Sequence, residues 1–253
     1  MAVVLLVALP ALLIGCGSLG GDQNTFSPAA DVARDQRDIF FLALWPAIVV
    51  LFIVFGLLVY ALVRYRRKRD DEALPVQVHG NQRLEIAWTV LPALLLIGLA
   101  VPMLGGIVAL GRAPADDAFP VRVIGQRFSW TFEYPELKDA EGNPLQLLGT
   151  PEEPAELHVP VGREIGLSLE SIDVIHSFWP PRLAGKQDVI PGRTNSLWFT
   201  IDEPGEYPGQ CAEFCGLQHA LMRFTIVAHS EQDFQAWCEE ALELAPGAQA
   251  CRS

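Results

Sequence analysis

Two stretches of the chain carry no charged side chain at all. Ile39–Val63 reads IFFLALWPAIVVLFIVFGLLVYALV and Ile86–Leu110 reads IAWTVLPALLLIGLAVPMLGGIVAL, 25 residues each. As helices they would reach about 37 Å, enough to cross a bilayer with some tilt. The competing reading, a buried core helix, seldom runs so long without a charge. Pro46, Pro92 and Pro102 are expected to kink these helices without breaking them, because neighbouring groups can satisfy the freed carbonyls.

The pattern changes after residue 111. VRVIGQRFSWTFEY (121–134), AELHVPVGREIGLSLES (155–171), TNSLWFTIDEPGEYPGQC (194–211) and LMRFTIVAH (221–229) are short β-rich runs, separated by Pro and Gly clusters. Strands at this spacing, with no amphipathic helices between them, predict an antiparallel sandwich or barrel. EQDFQAWCEEALELA (231–245) alone reads as a helix, with Phe234, Trp237 and Ala241 or Leu242 on one side. The predicted order is a leader at 1–16, a segment at 17–38, helices at 39–63 and 86–110 joined by a loop at 64–85, a β domain at 111–230, and a helix and tail at 231–253.

Charge orients this arrangement. The loop between the apolar runs holds Arg64, Arg66, Arg67, Lys68, Arg69 and Arg83, against Arg34, Arg37 and Arg112 at the outer ends. The positive-inside rule puts the loop in the cytoplasm and the β domain outside. The net charge of −12 sits entirely in residues 111–253, with 22 acidic and 10 basic residues. Such a domain suits a basic partner by electrostatic steering and argues against nucleic acid, although plain solubility explains the charge equally well.

The first residues, MAVVLLVALPALLIGCGS, end an apolar stretch at Leu13-Ile14-Gly15-Cys16. This resembles a bacterial lipoprotein signal in which Cys16 takes the lipid, without the usual basic start. A third membrane helix is the alternative. Cys238 and Cys251, in an oxidising compartment, suit a disulfide closing the tail, or stand as two unpaired thiols.

The densest chemistry lies in GQCAEFCGLQHALMRF (209–224). Cys211, Cys215, His219 and Met222 share one loop, and DVIHSFWPPRL (173–183) supplies His176 beside a strand. A strand end and a late loop can meet at one end of a sandwich, as in cupredoxin-type copper sites. Thiolate, imidazole and thioether together favour copper over calcium or magnesium. A mononuclear site needs one thiolate. Two thiolates can bridge two coppers, each completed by one His, with weak ligands from Met222 and a carbonyl. A Cys211–Cys215 disulfide, a tetrahedral Cys2His2 zinc site, and a His219 that only packs also fit these residues.

The loop fits C-x-E-x-C-G-x-x-H-x-x-M, and the chain resembles the subunit 2 family of the haem–copper cytochrome c oxidases. HGNQRLEIAWTVLPALLL (79–96) is similar to that family's approach to its second membrane helix, and DVIHSFWPPRLAGKQDVIPGR (173–193) to its first copper-histidine segment. The resemblance implies a two-helix transmembrane hairpin followed by an extracytoplasmic cupredoxin-like β-sandwich or barrel. It implies a binuclear copper site on His176, Cys211, Cys215, His219, Met222 and the Glu213 carbonyl. The Glu213 carboxylate would then hold a magnesium or manganese ion shared with subunit 1. Glu85 matches a glutamate at a proton channel mouth, and otherwise reads as a solvated carboxylate at a helix end.

One segment departs from the family. Its G-H-Q-W-Y-W is GQRFSW here, so Phe128 or Trp130 would accept the electron, unless both only pack. Asp173 and Glu133 could join an acidic docking patch. The implied function is electron transfer from cytochrome c or a similar donor to subunit 1 and its fellow oxidase subunits, which reduce oxygen and pump protons, in a bacterial plasma membrane. No haem ligands inside the membrane and no Cys-x-x-Cys-His motif are found, so neither haem on this chain nor a fused cytochrome domain is expected. Competing readings are a quinol oxidase subunit 2, which typically lacks the copper ligands, a nitrous oxide reductase, and a membrane-anchored copper carrier or sensor with exchangeable metal.

Overall fold

The computed structural model describes residues 21–66, 77, 80–139, 141–243 and 251. The chain forms two compact units, one of residues up to Arg37 together with Arg112 onward, the other Asp38–Gly111.

Helices α1 (Asp31–Arg64) and α2 (Gln82–Leu110) contain the two apolar runs. Their most apolar windows have mean hydropathy 2.8 and 2.5, and none of either window is buried. Water would not tolerate that surface, whereas hydrocarbon does, because a helix satisfies its own backbone. The three prolines sit inside unbroken helices. Ile39 lies against Gly106, so the start of one helix meets the end of the other in an antiparallel pair. The basic loop falls largely outside the described residues.

Both helices begin earlier than their apolar runs. Asn81 caps α2, its side chain accepting from the Arg83 and Leu84 N–H groups at 3.1 and 3.4 Å, which brings Glu85 into the first turn. The first turn of α1 is polar because the β domain holds it. Asp31 accepts from the Thr200 N–H at 2.8 Å, Arg34 pairs with Asp202 at 2.9 Å, and Val32 and Ala33 are buried.

The β domain is a sandwich of two five-stranded sheets. The strands are β1 (Phe119–Gln126), β2 (Ser129–Lys138), β3 (Pro144–Leu148), β4 (Ala155–Pro160), β5 (Glu164–Ser171), β6 (His176–Trp179), β7 (Gln187–Val189), β8 (Asn195–Thr200), β9 (Gly205–Cys211) and β10 (Arg223–His229). Their orders are β3-β2-β1-β5-β8 and β4-β10-β9-β6-β7. The sandwich is not wholly antiparallel, since β1 pairs with β5 and β10 with β4 in parallel. Alternation along a strand reports which face is buried, not the direction of its neighbour. The intervening strands supply the long crossovers that parallel pairs need.

Between the sheets lies an aromatic core of Trp130, Phe132, Phe178 and Phe224, all essentially buried. Phe178 and Phe224 stack at 4.1 Å. Phe224 faces Gly209 across the β9–β10 pair, and a Cβ at Gly209 would enter the Phe224 ring, so only glycine fits. Helix α3 (Glu231–Ala241) starts at the Ser230 cap and buries Phe234 and Cys238. Cys238 and Cys251 are joined by a disulfide, S–S 2.03 Å. It ties Cys251 to α3.

Candidate metal centre

His176 opens β6 and is fully buried. β6 pairs with β9 at Phe178 opposite Cys211, which sets His176 near the end of β9. Cys211 is the last residue of that strand, and its N–H donates to the Met222 carbonyl at 2.9 Å. The loop between them therefore closes on itself. It carries Cys215, then a 3-10 turn at His219–Leu221, and returns into β10.

Five side chains and one carbonyl converge. Cys211 Sγ lies 3.9 Å from His176 Nδ1, 4.0 Å from Cys215 Sγ and 3.2 Å from the Glu213 carbonyl oxygen. Cys215 Sγ lies 3.6 Å from His219 Nδ1 and 3.7 Å from Met222 Sδ. Ligand atoms of His176, Cys211 and Cys215 all lie within 4.8 Å of one another. Both cysteines are free and buried, so no disulfide joins them. Soft sulfur and imidazole donors at these separations fit a soft or borderline transition metal, with one imidazole beside each sulfur.

The two thiols differ in their electrostatics. Burial pushes the Cys211 thiol up, but hydrogen bonding with His176 and backbone groups outweighs it and lowers its pKa. Burial and then the adjacent Cys211 charge push Cys215 up. Two thiolates side by side need a metal to hold both charges.

Asp173 completes the arrangement, in a role its sequence context did not reveal. Its Oδ1 stands 2.8 Å from His176 Nε2, and its Oδ2 accepts from the Arg127 N–H at 2.8 Å. Burial raises its pKa, yet these bonds and one from the Val174 N–H prevail and hold it down at about 2. An ionised Asp173 accepts a hydrogen bond from the His176 Nε2–H and leaves Nδ1 facing the sulfurs.

Two family descriptions match the chain. One, "Cytochrome C oxidase subunit II, periplasmic domain", covers residues 119–230, and the other, "Cytochrome C oxidase subunit II, transmembrane domain", covers 21–105. This chain belongs to the cytochrome c oxidase subunit II family. It is 37% identical to cytochrome c oxidase subunit 2 of Alkalihalophilus pseudofirmus over 91% of its length, and 37% identical to that of Bacillus subtilis over 94%. The chain spans 65% and 67% of those two relatives. It is also 32% identical, over 93% of its length and 72% of the relative, to quinol oxidase subunit 2 of Bacillus subtilis. The family is thus a membrane-anchored one with a cupredoxin-like outer domain, and α1 and α2 are its transmembrane part.

Within the subunit II fold, the two aromatic candidates occupy different places. Trp130 is fully buried behind His176, ring centroids 5.9 Å apart. Phe128 is half-buried against Gly216 of the metal loop, where φ is +134° and a Cβ would come within 3.0 Å of the Phe128 ring. Neither predicted docking carboxylate stands alone. Glu133 pairs with Arg122 at 3.3 Å and accepts from Gln146 at 2.7 Å, and Asp173 is held by Arg127 and His176. The surface around the loop is apolar instead, with Ile172, Ile175, Phe214, Leu217 and Leu221 exposed. Nothing in the hydrophobic pattern marked these, because they lie in the loops between strands rather than alternate along them. The Glu213 carboxylate is exposed, and Cys16 lies outside the described residues.

Proposed function

We propose that this chain is the electron-accepting subunit of a respiratory haem–copper oxidase. It takes electrons from a reduced cytochrome c or similar donor outside the membrane and passes them to the haem and copper of subunit 1, where oxygen is reduced to water with proton pumping. His176, Cys211, Cys215, His219 and Met222 would hold a binuclear copper centre, with the Glu213 carbonyl as a further ligand. When bound, a copper pair held by both thiolates would share an electron over two metals and so transfer it with little reorganisation.

The observation that carries this reading is the convergence of two free thiols 4.0 Å apart, each with its own imidazole nitrogen at 3.9 or 3.6 Å. A quinol oxidase subunit has no need of such a thiol pair. A copper carrier or sensor needs exchangeable metal, which a buried site closed by the Cys211–Met222 hydrogen bond does not favour.

The chain's own residues prepare the site. Asp173 holds His176 in one tautomer. The buried sandwich behind Trp130 excludes water from the imidazole. Phe128, half-buried and packed on Gly216, would pass the donor's electron to the loop by contact. The Glu213 carboxylate would hold a magnesium or manganese ion shared with subunit 1, oxygen being the ligand such hard ions take. Glu85, in the first turn of α2, would collect protons at the cytoplasmic end. Cys16 would carry the lipid of a processed leader in a bacterial plasma membrane.

Isolation of the complex from native membranes tests the function. Haem co-purifying with this chain, and fast oxidation of reduced cytochrome c, support it. A chain that purifies without haem, or a haem complex that oxidises only quinol, refutes it.

A further inference from the structure

Two imidazoles meet on the side of the sandwich that α3 covers. His158 on β4 and His229, the last residue of β10, sit diagonally in the parallel register that sets His158 beside Val227. His158 Nδ1 is 2.8 Å from His229 Nε2. Their centroids are 5.1 Å apart and their planes differ by 15°, so the rings lie edge to edge in nearly one plane, nitrogen aimed at nitrogen. Trp237 of α3 covers the pair, 4.4 Å over His158 and 6.2 Å from His229. Tyr134 of β2 fixes the His158 backbone, accepting from its N–H at 2.8 Å and donating to its carbonyl at 3.0 Å. His229 immediately precedes Ser230, the cap of α3. The helix is therefore fastened to the β4–β10 pair through these rings.

Two charges face the pair. Glu156 on β4 lies 3.3 Å from His158 Nε2, and Asp233 on α3 acts on His229. Trp237 and the buried phenol of Tyr134 are uncharged neighbours. Glu156 keeps the proton of neutral His158 on Nε2, so Nδ1 accepts and His229 donates from Nε2. A first added proton goes to the other nitrogen of His229, under the Asp233 charge, and the bond between the rings survives. A second has only His158 Nδ1 to occupy. Both facing nitrogens are then donors, the bond is gone, and two cations stand edge to edge. The attraction of a cation to the Trp237 face is weaker than that repulsion.

We propose that His158 and His229 form a two-proton clasp that holds α3, and Cys251 with it, on the sandwich near neutrality and releases them in acid. Burial, and then the charge of His229, hold His158 down at about 4, while burial lowers His229 against the pull of Asp233. Both folded-state values lie below the unfolded one. The hold is therefore complete above the unfolded value of 6.5 and is lost as pH falls towards about 4.

The Cys238–Cys251 disulfide is the natural reporter, because both sulfurs are buried until α3 opens. The full chain in detergent is treated with a water-soluble phosphine, alkylated and mapped, and the reduction rate is divided by that of an unstructured disulfide peptide at the same pH. The expected ratio rises on the order of 50-fold between pH 6.5 and about 4. In His158→Gln it is already high at neutral pH and flat. His229→Gln repeats the test, and near-UV circular dichroism checks that each sandwich is folded. A flat ratio in the unaltered chain, or a rise that persists in both folded variants, overturns the proposal.

Discussion

Asp173 Oδ1 stands 2.8 Å from His176 Nε2, while Nδ1 of the same ring faces Cys211 Sγ at 3.9 Å. The ring is thus held between a carboxylate and a sulfur, and the carboxylate decides which nitrogen is free to bind metal. Asp173→Ala is expected to weaken copper binding roughly 10- to 100-fold without changing the number of coppers bound. Asp173→Asn keeps an acceptor and recovers most of the loss. Competition with a copper chelator measures both, and an unchanged affinity in the alanine variant contradicts the assignment.

Cys215 is the thiol whose presence separates a bridged pair from a single-copper site. In Cys215→Ser the bound copper is expected to fall from two per chain to one, and the sandwich to keep its near-UV circular dichroism. The core aromatics make no use of the metal. Full retention of two coppers would mean that Cys215 is not a bridge.

Phe128 and Trp130 are two residues apart and should fail in different ways. Phe128 touches the loop at Gly216, so Phe128→Ala should slow electron uptake from the donor and leave the copper spectrum intact. Trp130 fills the space behind His176, Phe178 and Phe224. Trp130→Ala should cost about 3–5 kcal/mol of stability and disturb the copper spectrum as well. Stopped-flow reduction, thermal unfolding and absorption spectra together distinguish the two. A normal reduction rate in Phe128→Ala removes it from the electron path.

Gly209 is required by close approach rather than by a turn. A single methyl there enters the Phe224 ring, two residues beyond Met222. Gly209→Ala is expected to destabilise the domain by about 1–3 kcal/mol through overpacking. Thermal unfolding of the full chain reads this directly, and an unshifted transition contradicts the packing account.

Much of this molecule is legible along the chain because its strongest signals are local. The membrane helices follow from uninterrupted apolar runs, and four donors of the metal loop lie within twelve residues. What stayed hidden is non-local. Asp31 starts α1 early because Thr200, far along the chain, supplies an N–H to it. The parallel pairing of β1 with β5 leaves no mark on either strand's alternation. His158 and His229 are ordinary strand residues until β4 and β10 are set side by side. Asp173 reads as a surface acid, and only the bend before β6 turns it onto His176. Phe128 and Trp130 look equivalent in sequence, and burial alone separates them.

The central claim is that Cys211 and Cys215 bridge two metals. The most direct measurement is copper content with electron paramagnetic resonance on the copper-loaded, one-electron-oxidised full chain. Two coppers per chain, with one unpaired electron coupled equally to both nuclei, is the predicted result. One copper with a hyperfine pattern from a single nucleus, or two coppers with the electron confined to one of them, would contradict it.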